Sequence, residues 1–241
     1  MKPLSVRNFL LLTVLFLLTA CARPTLPALP PEEILSNVVA KMKALKGFQF
    51  VVVRTGAPAY LDADQTLSFS RMQGEYASPD QAQGQVRVIG PGIVASVRFT
   101  SIGDHYWETN YLTGEWWECP LGQCFNPAIL FDAQYGLQAI LEEDFTDLQR
   151  LANEELEELP GKSLYTLSGR LAAERLYQMS WGMIGPESVN VRLWVDPATF
   201  VAHRIQLEEP APEAGEATLW TVDFLDFDEI ASIQPPPTPT P

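Results

Sequence analysis

Residues 85–101 read QVRVI-GPG-IVASVRFTS, two runs rich in β-branched residues that are separated by a glycine–proline–glycine turn. In the second run apolar residues take one face and polar residues the other, namely Ile93, Ala95, Val97 and Phe99 against Ser96, Arg98 and Thr100. A period of two with a tight turn between the runs predicts an antiparallel hairpin. We therefore expect one face of this hairpin to be buried and the other to meet solvent.

Further runs of the same kind lie on both sides of this hairpin. Phe48–Arg54 is largely apolar on both faces, Leu67–Arg71 alternates, and the chain turns at Gly103-Asp104 and Thr113-Gly114. The other predicted strands are His105–Tyr111, Glu115–Glu118, one that begins at Thr146, Leu164–Leu171, Val189–Val195, Phe200–Leu207 and Leu219–Phe224. Because strands follow one another without regular helical crossovers, we predict a single antiparallel sheet of about eight to eleven strands.

Four segments have the spacing or composition of helices. In Pro31–Lys46 the apolar residues recur every three or four positions, Pro31 suits the first helical position, and Gly47 ends the helix. Shorter helices are predicted at Asn126–Leu130, Tyr135–Glu142 and Ala172–Met183. A sheet of this size curls, and we expect the helices to cover its concave face. The predicted fold class is α+β, mainly antiparallel β.

The N-terminal segment has the pattern of an export signal, with Lys2 and Arg7 ahead of a short apolar run from Phe9 to Leu18. The run is shorter than the roughly 20 residues that a permanent membrane span needs. It ends in Leu18-Thr19-Ala20-Cys21, the pattern of the bacterial lipoprotein pathway. We predict that residues 1–20 are removed and that Cys21, acylated for instance with palmitate, anchors the protein at the extracytoplasmic face of the cell membrane. The alternative is an ordinary signal with an incidental cysteine.

Both ends of the mature chain are rich in proline. We predict that residues 21–31 comprise the acylated cysteine and a stiff spacer. Residues 32–233 are predicted to form the folded domain. Residues 234–241, a run of proline and threonine after Gln234, are predicted to stay unfolded.

The chain carries a net charge of −14, and loss of Lys2 and Arg7 with the signal would bring it to −14 − 2 = −16. Such acidity argues against nucleic acid as a partner and against docking on anionic headgroups by a basic patch. A well-solvated surface is its simplest consequence.

Two cysteines remain once Cys21 is assigned to the anchor. Cys119 and Cys124 flank a turn that contains Pro120 and Gly122. Outside the cytoplasm such a pair forms a disulfide more often than a metal site. Zinc would need two more ligands, and both histidines are distant in sequence. We predict a local disulfide, with two free thiols as the alternative.

Motifs of catalytic sites are missing from the sequence, which has no Gly-x-Ser-x-Gly, no glycine-rich phosphate loop and no His-Glu-x-x-His. His105 fits an exposed strand position. Asp223, Asp226 and Asp228 could form a calcium site or a glycosidase carboxylate set, but a solvated strand end explains them more simply. We therefore predict no catalytic residue, no metal and no cofactor.

The tryptophans are the remaining candidates for a site. Three lie together on one predicted hairpin: Trp107, Trp116 and Trp117. They could pack in the core, line the mouth of a lipid cavity, or stack on sugars beside Glu115 and Glu118. The other three fall in periodic apolar elements, where we expect core positions: Trp181, Trp194 and Trp220.

Several short motifs follow the signal, the spacer and the first helix in a fixed order. They are Tyr106-Trp107-Glu108, Thr113-Gly114-Glu115-Trp116, Leu167-Ser168-Gly169, Leu193-Trp194-Val195-Asp196 with Thr199, His203-Arg204-Ile205 and Phe224-Leu225-Asp226-Phe227-Asp228. Together they resemble the LppX/LprAFG lipoproteins, relatives of the LolA/LolB carriers, over residues 32–236. The resemblance implies a LolA-like half-open β-barrel whose concave face, capped by helices, holds the acyl chains of a lipid. It also implies non-catalytic carriage of lipids, lipoglycans or lipoproteins between membranes.

The lipid cavity is a hypothesis that rests on this resemblance and on an excess of apolar surface over what one curled sheet can bury. By alternation alone, the side chains expected in it are Phe50, Val52, Leu67, Phe69, Val97, Phe99, Val191, Leu193, Val222 and Phe224. The alternative for the same space is a core that the helices fill completely. The alternative function is an envelope scaffold or sensor that docks another protein and carries no lipid.

Overall fold

One continuous antiparallel sheet organises the chain. The computed structural model describes residues 26–62, 64–211, 217–229 and 232–237. The predicted signal, Cys21 and the end of the proline–threonine tail lie outside the described residues.

Twelve strands make up this sheet among the described residues, and every pairing is antiparallel. The strands are β1 (Gly47–Thr55), β2 (Ala59–Tyr60), β3 (Ser68–Ala77), β4 (Gln81–Gly90), β5 (Ile93–Ile102), β6 (His105–Thr109), β7 (Trp116–Cys119), β8 (Phe145–Arg150), β9 (Tyr165–Leu171), β10 (Val189–Val195), β11 (Ala202–Glu208) and β12 (Leu219–Leu225). Their order is β7-β6-β5-β4-β3-β1-β12-β11-β10-β9-β8, with β2 beside β3. The edge strands β7 and β8 are not paired with each other in this order, so the sheet stays open and the predicted half-open barrel is confirmed.

The hairpin predicted from residues 85–101 is the β4–β5 pair. Its register runs from Gln81 opposite Ile102 to Gly90 opposite Ile93, so both strands are longer than the alternation suggested. The sheet also has one strand more than the largest number predicted. That strand is β2, whose two residues are too few to show a period.

The helices agree with the sequence at three of four places. They are α1 (Pro31–Ala44), a 3-10 turn (Pro127–Phe131), α2 (Leu137–Glu143) and α3 (Ala173–Met179). The predicted helix Ala172–Met183 is shorter than expected. The chain leaves the helical path because Trp181 and Gly182 both take positive φ angles, of 54° and 76°.

The helices pack on one face of the sheet and bury an aromatic core with it. The ring of Phe131 lies 4.5 Å from that of Phe50, 5.1 Å from Phe48 and 5.4 Å from Tyr76. Ile34 and Val38 of α1 are fully buried in the same cluster. Over this part of the sheet the protein's own side chains fill the concave face.

A second, small cluster lies outside this core, where Leu156 and Leu164 pack on Trp194. The indole Nε1 of Trp194 donates a hydrogen bond of 2.8 Å to Glu154. The segment after β8 is therefore a loop tied to the sheet. The prediction of a strand that begins near Thr146 holds for β8 alone.

The N-terminal part of the described chain is fixed to the domain. Residues 26–30 belong to the predicted spacer, but Leu26 and Leu29 pack against the core. The Arg150 guanidinium donates to the carbonyl oxygens of Pro27 at 3.2 Å and of Leu29 at 3.1 Å.

We predict that Phe131→Ala lowers the free energy of unfolding by about 3–5 kcal/mol, because it removes the ring on which the aromatic core converges. Denaturant unfolding with the disulfide kept oxidised measures this change. Tyr135→Ala is the matched control, since Tyr135 is 62% exposed and only four residues away. A loss for Phe131→Ala no larger than that of the control would contradict the prediction.

Candidate ligand-binding cleft

An apolar cleft opens at the end of the concave face where helical cover is lacking. It has a volume of about 390 Å³ and lies between strands β2 to β7 and the segments around Phe125 and Trp181. Ligand sites of proteins commonly have volumes of roughly 300–1,000 Å³. The cleft is therefore large enough to hold part of a small apolar molecule.

The floor of the cleft is made of aliphatic side chains from neighbouring strands. Val86 and Val88 alternate along β4, and Val97 of β5 lies directly opposite Val86. Leu67, just before β3, completes the floor. Period-two alternation places these residues on the same face, so the floor is uniformly apolar.

A smaller apolar void lies beside the cleft on the same face of the sheet. It has a volume of about 40 Å³ and is lined by Val52, Phe69 and Val222 among others. Phe125 and Met183 line both the void and the cleft, so they separate the two spaces. Methionine is flexible and adapts to irregular neighbours, which makes this wall the easiest part of the site to displace.

Aromatic side chains surround the mouth of the cleft. Tyr60, Tyr111, Trp117 and Trp181 line it and are 37–49% exposed. The prediction that Trp181 lies in the core is wrong, because the turn after α3 carries it to the surface. The predictions for Trp194 and Trp220 are confirmed, since both are buried.

The other two tryptophans of the hairpin lie on the opposite face of the sheet. Trp107 is half-buried and stacks on His105, with ring centroids 5.5 Å apart. Trp116 is also half-buried, and the Arg98 guanidinium lies 5.1 Å from its ring centroid. Core packing is therefore wrong for this group, and only Trp117 takes the portal position.

A disulfide joins Cys119 and Cys124, as predicted, with the two Cα atoms 6.3 Å apart. Cys124 lines the cleft beside Phe125. The bond holds the loop after β7 against the β6–β7 hairpin. One wall of the cleft is thus covalently fixed.

One carboxylate lines the cleft among these apolar groups. The Tyr106 hydroxyl donates a hydrogen bond of 3.0 Å to Glu108 Oε2. Burial raises the pKa of Glu108 above its ordinary value, and the bond from Tyr106 opposes this only in part. Burial and the nearby Glu108 charge also raise the pKa of Tyr106. No lysine or arginine is among the residues that line the cleft in the described chain.

Two larger grooves lie on the solvent-facing side of the sheet, with volumes of about 840 and 520 Å³. Their linings include Arg170 and Arg192 in the first and Gln73 and Gln83 in the second. Both grooves are open to solvent, and polar or charged side chains form much of their linings. They are less suited to an apolar ligand than the smaller cleft is.

The ten side chains expected in a cavity are all buried or half-buried, but they do not share one space. Leu67 and Val97 line the cleft, and Val52, Phe69 and Val222 line the inner void. The remainder pack in the core: Phe50, Phe99, Val191, Leu193 and Phe224.

Several cleft residues were missing from the sequence-based set. Val86 and Val88 alternate in the same hairpin as Val97, so the pairing of β4 with β5 could have identified them. Tyr111 and Trp181 come from turns, and Phe125 follows the disulfide. Their positions depend on tertiary packing, so the periodicity of the sequence does not predict that they line the cleft.

Metal-ligating residues do not gather into a candidate site of three or more in the described chain. Asp223 is instead bound by Arg204, with Nη2 3.0 Å from Oδ2. Asp228 accepts a hydrogen bond of 2.8 Å from the backbone N–H of Lys46. Among the described helices, none combines the length and the apolar character of a membrane span.

An open antiparallel sheet with helices on its concave face and an apolar cleft at one end defines the class of half-open β-barrels. Within this class, the chain belongs to the LppX_LprAFG lipoprotein family, whose model matches residues 30–233. The resemblance identified from the sequence is thereby confirmed. No curated protein matches the sequence.

Solved structures agree with this assignment at the level of the fold. LprF from Mycobacterium bovis superposes with a TM-score of 0.66 at 16% identity, covering 88% of this chain and 99% of that one. The lipoprotein LppX from Mycobacterium tuberculosis gives 0.58 at 15% identity, covering 84% and 99%. A LolA superfamily protein from Nitrosomonas europaea matches with a TM-score of only 0.29 at 14% identity, covering 87% and 96%.

We predict that Glu108→Gln makes the protein more stable at neutral pH. Wild type loses stability as the pH rises through the raised pKa of Glu108, because burial disfavours the ionised carboxylate. The variant cannot ionise, and its amide oxygen can still accept the bond from Tyr106. The two unfolding free energies should converge as the pH falls below about 4.3, the ordinary pKa of glutamate.

Unfolding by denaturant at a series of pH values measures this difference. Glu115→Gln on the same hairpin is the control, because Glu115 is exposed. A gap between wild type and Glu108→Gln that stays constant with pH would show that the carboxylate does not contribute in this way.

Proposed function

We propose that the protein is a non-catalytic lipoprotein of the cell envelope that binds an acyl chain of a lipid, or of lipid-anchored cargo, in the cleft. The observation that carries this proposal is the uncovered apolar floor formed by Leu67, Val86, Val88 and Val97. The family assignment supports it. Carriage of the lipid between membranes is the role that this binding would serve.

Apolar burial can supply the affinity. Each Å² of apolar surface removed from water contributes about 25 cal/mol, so a chain segment on this floor needs no charged partner. The polar groups at Glu108 and Asn110 lie on the same cleft wall. They can bind the hydroxyl or amide groups where an acyl chain meets its headgroup.

The inner void offers room for a longer chain. Phe125 and Met183 line both this void and the cleft. A rotation of these side chains would join the two spaces into one apolar channel under α3. The residues expected in the cavity from the sequence, Val52, Phe69 and Val222, would then also contact the ligand.

The anchor is the second part of the proposal. The signal pattern supports removal of residues 1–20 and acylation of Cys21 at the extracytoplasmic face of the membrane. Residues 26–30 are bound to the domain. An acylated Cys21 would then be linked to it by at most five residues, a length of about 17 Å. The domain would therefore stay close to the membrane. A disulfide fits an oxidising compartment.

We predict that a lipid co-purifies with the full chain when it is extracted from its own membrane, and that Val97→Phe lowers its occupancy several-fold by filling the cleft. Native mass spectrometry measures the occupancy. Organic extraction then separates bound lipid from the acyl groups on Cys21, which stay covalently attached.

Ser96→Phe is the matched control, because Ser96 neighbours Val97 on β5 but is exposed on the other face. It should keep the lipid. Repeated absence of lipid from wild type would overturn the carrier proposal and favour the envelope scaffold or sensor. Equal loss in both variants would show that the cleft is not the binding site.

A further inference from the structure

The tip of the β4–β5 hairpin is apolar and exposed. Ile89, Ile93 and Val94 surround its Gly-Pro-Gly turn and are 37–58% exposed. Residues 89–94, which we call the hairpin tip, contain no charged side chain. Large apolar side chains are usually scattered singly on a protein surface, so a group of three on one turn needs a partner.

The hairpin tip is continuous with the mouth of the cleft. The Leu67 side chain, which lines the cleft, lies against the turn, since a Cβ atom at Gly90 would come within 3.0 Å of its Cδ2. The Ser68 hydroxyl donates a hydrogen bond of 3.1 Å to the Ile89 carbonyl. Whatever covers the hairpin tip therefore also meets the opening of the cleft.

Two arginines lie at the base of the hairpin tip on the solvent-facing side of the sheet. Arg71 and Arg87 are direct cross-strand partners. Both are exposed, and neither has a carboxylate within 4.0 Å among the described residues. Like charges directly opposite each other are destabilising. In a chain of net charge −14, this arrangement points to an external anion.

We propose that the hairpin tip inserts into a lipid bilayer while Arg71 and Arg87 contact the phosphates of its headgroups. Pro91 lies four positions from Arg87, a span of about 13 Å, which allows the roughly 5–10 Å depth typical of interfacial insertion. Tyrosine and tryptophan favour the membrane interface, and Tyr60 and Trp117 lie at the neighbouring cleft mouth. This proposal departs from the expectation that net acidity argues against docking on anionic headgroups, because strand pairing concentrates cations locally.

This inference goes beyond the proposed function in naming a surface and its partner. Its purpose, transfer of a lipid between bilayer and cleft, rests on that proposed function. The docking itself does not, because the hairpin tip and the arginines lie outside the cleft floor.

Depth-dependent quenching tests the proposal. The full chain carrying Val94→Trp is reconstituted into vesicles of phosphatidylcholine and phosphatidylglycerol whose acyl chains are brominated, and its emission is compared with wild type. The added emission should be quenched several-fold more than that of Leu121→Trp. Leu121 is the matched control, since it is 80% exposed on the disulfide loop, away from the hairpin tip.

Replacing the cations tests the phosphate contact. Each arginine near an anionic surface strengthens association roughly fivefold. Arg71→Gln with Arg87→Gln should therefore weaken the quenching at position 94 in these vesicles, and less so in phosphatidylcholine alone. Equal quenching at 94 and 121 would overturn the insertion, as would a hairpin tip that crosslinks to a second protein copy while staying unquenched. Quenching indifferent to the arginines would overturn the phosphate contact.

The same samples separate this inference from the proposed function. Val94→Trp should retain the co-purified lipid, because residue 94 does not line the cleft. Quenching without any bound lipid would contradict the carrier proposal and support membrane docking. Bound lipid without quenching would support the carrier proposal and contradict membrane docking.

Discussion

The concave face of the sheet carries more apolar side chains than its helices can cover, and the other features of the molecule follow from this mismatch. The elements α1 and α2 and the 3-10 turn fill the middle of the face, where Phe131 meets the aromatic side chains of β1, β3 and β12. Strands β4 to β6 extend beyond them. The inward-facing valines of β4 and β5 form the floor of the cleft. Apolar surface in contact with water is unfavourable. An apolar ligand therefore binds with the most favourable free energy at this end of the face.

One segment, residues 119–131, forms the boundary between the filled and the open part. The disulfide fixes its start, and the Asn126 amide donates a hydrogen bond of 2.9 Å to the Ser101 hydroxyl of β5. Asn126 also accepts from the Ala128 N–H at 3.0 Å and so begins the 3-10 turn that delivers Phe131 to the core. Phe125, between the two anchors, becomes the wall of the cleft. Core packing and site geometry therefore depend on the same few residues.

Local rules predicted the sheet well, because period two and tight turns are properties of neighbouring residues. They also predicted α1 and the Cys119–Cys124 bond. They failed where distance in sequence mattered. Trp181 lies in an apolar segment, yet a positive φ angle turns it to the surface. Arg71 and Arg87 look unrelated in the sequence, and only the register of β3 with β4 makes them neighbours. The extent of the cleft depends on how far the helices reach, which no periodicity encodes.

The register of β4 determines both the floor of the cleft and the position of the arginines on the opposite face. Val86 and Val88 face the cleft while Arg87, between them, faces solvent, so a slip of one residue would bring an arginine into the cleft and valines to the surface. Gly74 and Gly84 oppose this slip. They are direct partners, and a Cβ atom at either would lie 2.3 Å from a backbone oxygen of the other strand. Because only glycines tolerate this close approach, the pair favours one alignment, which keeps the valines inward and the arginines outward.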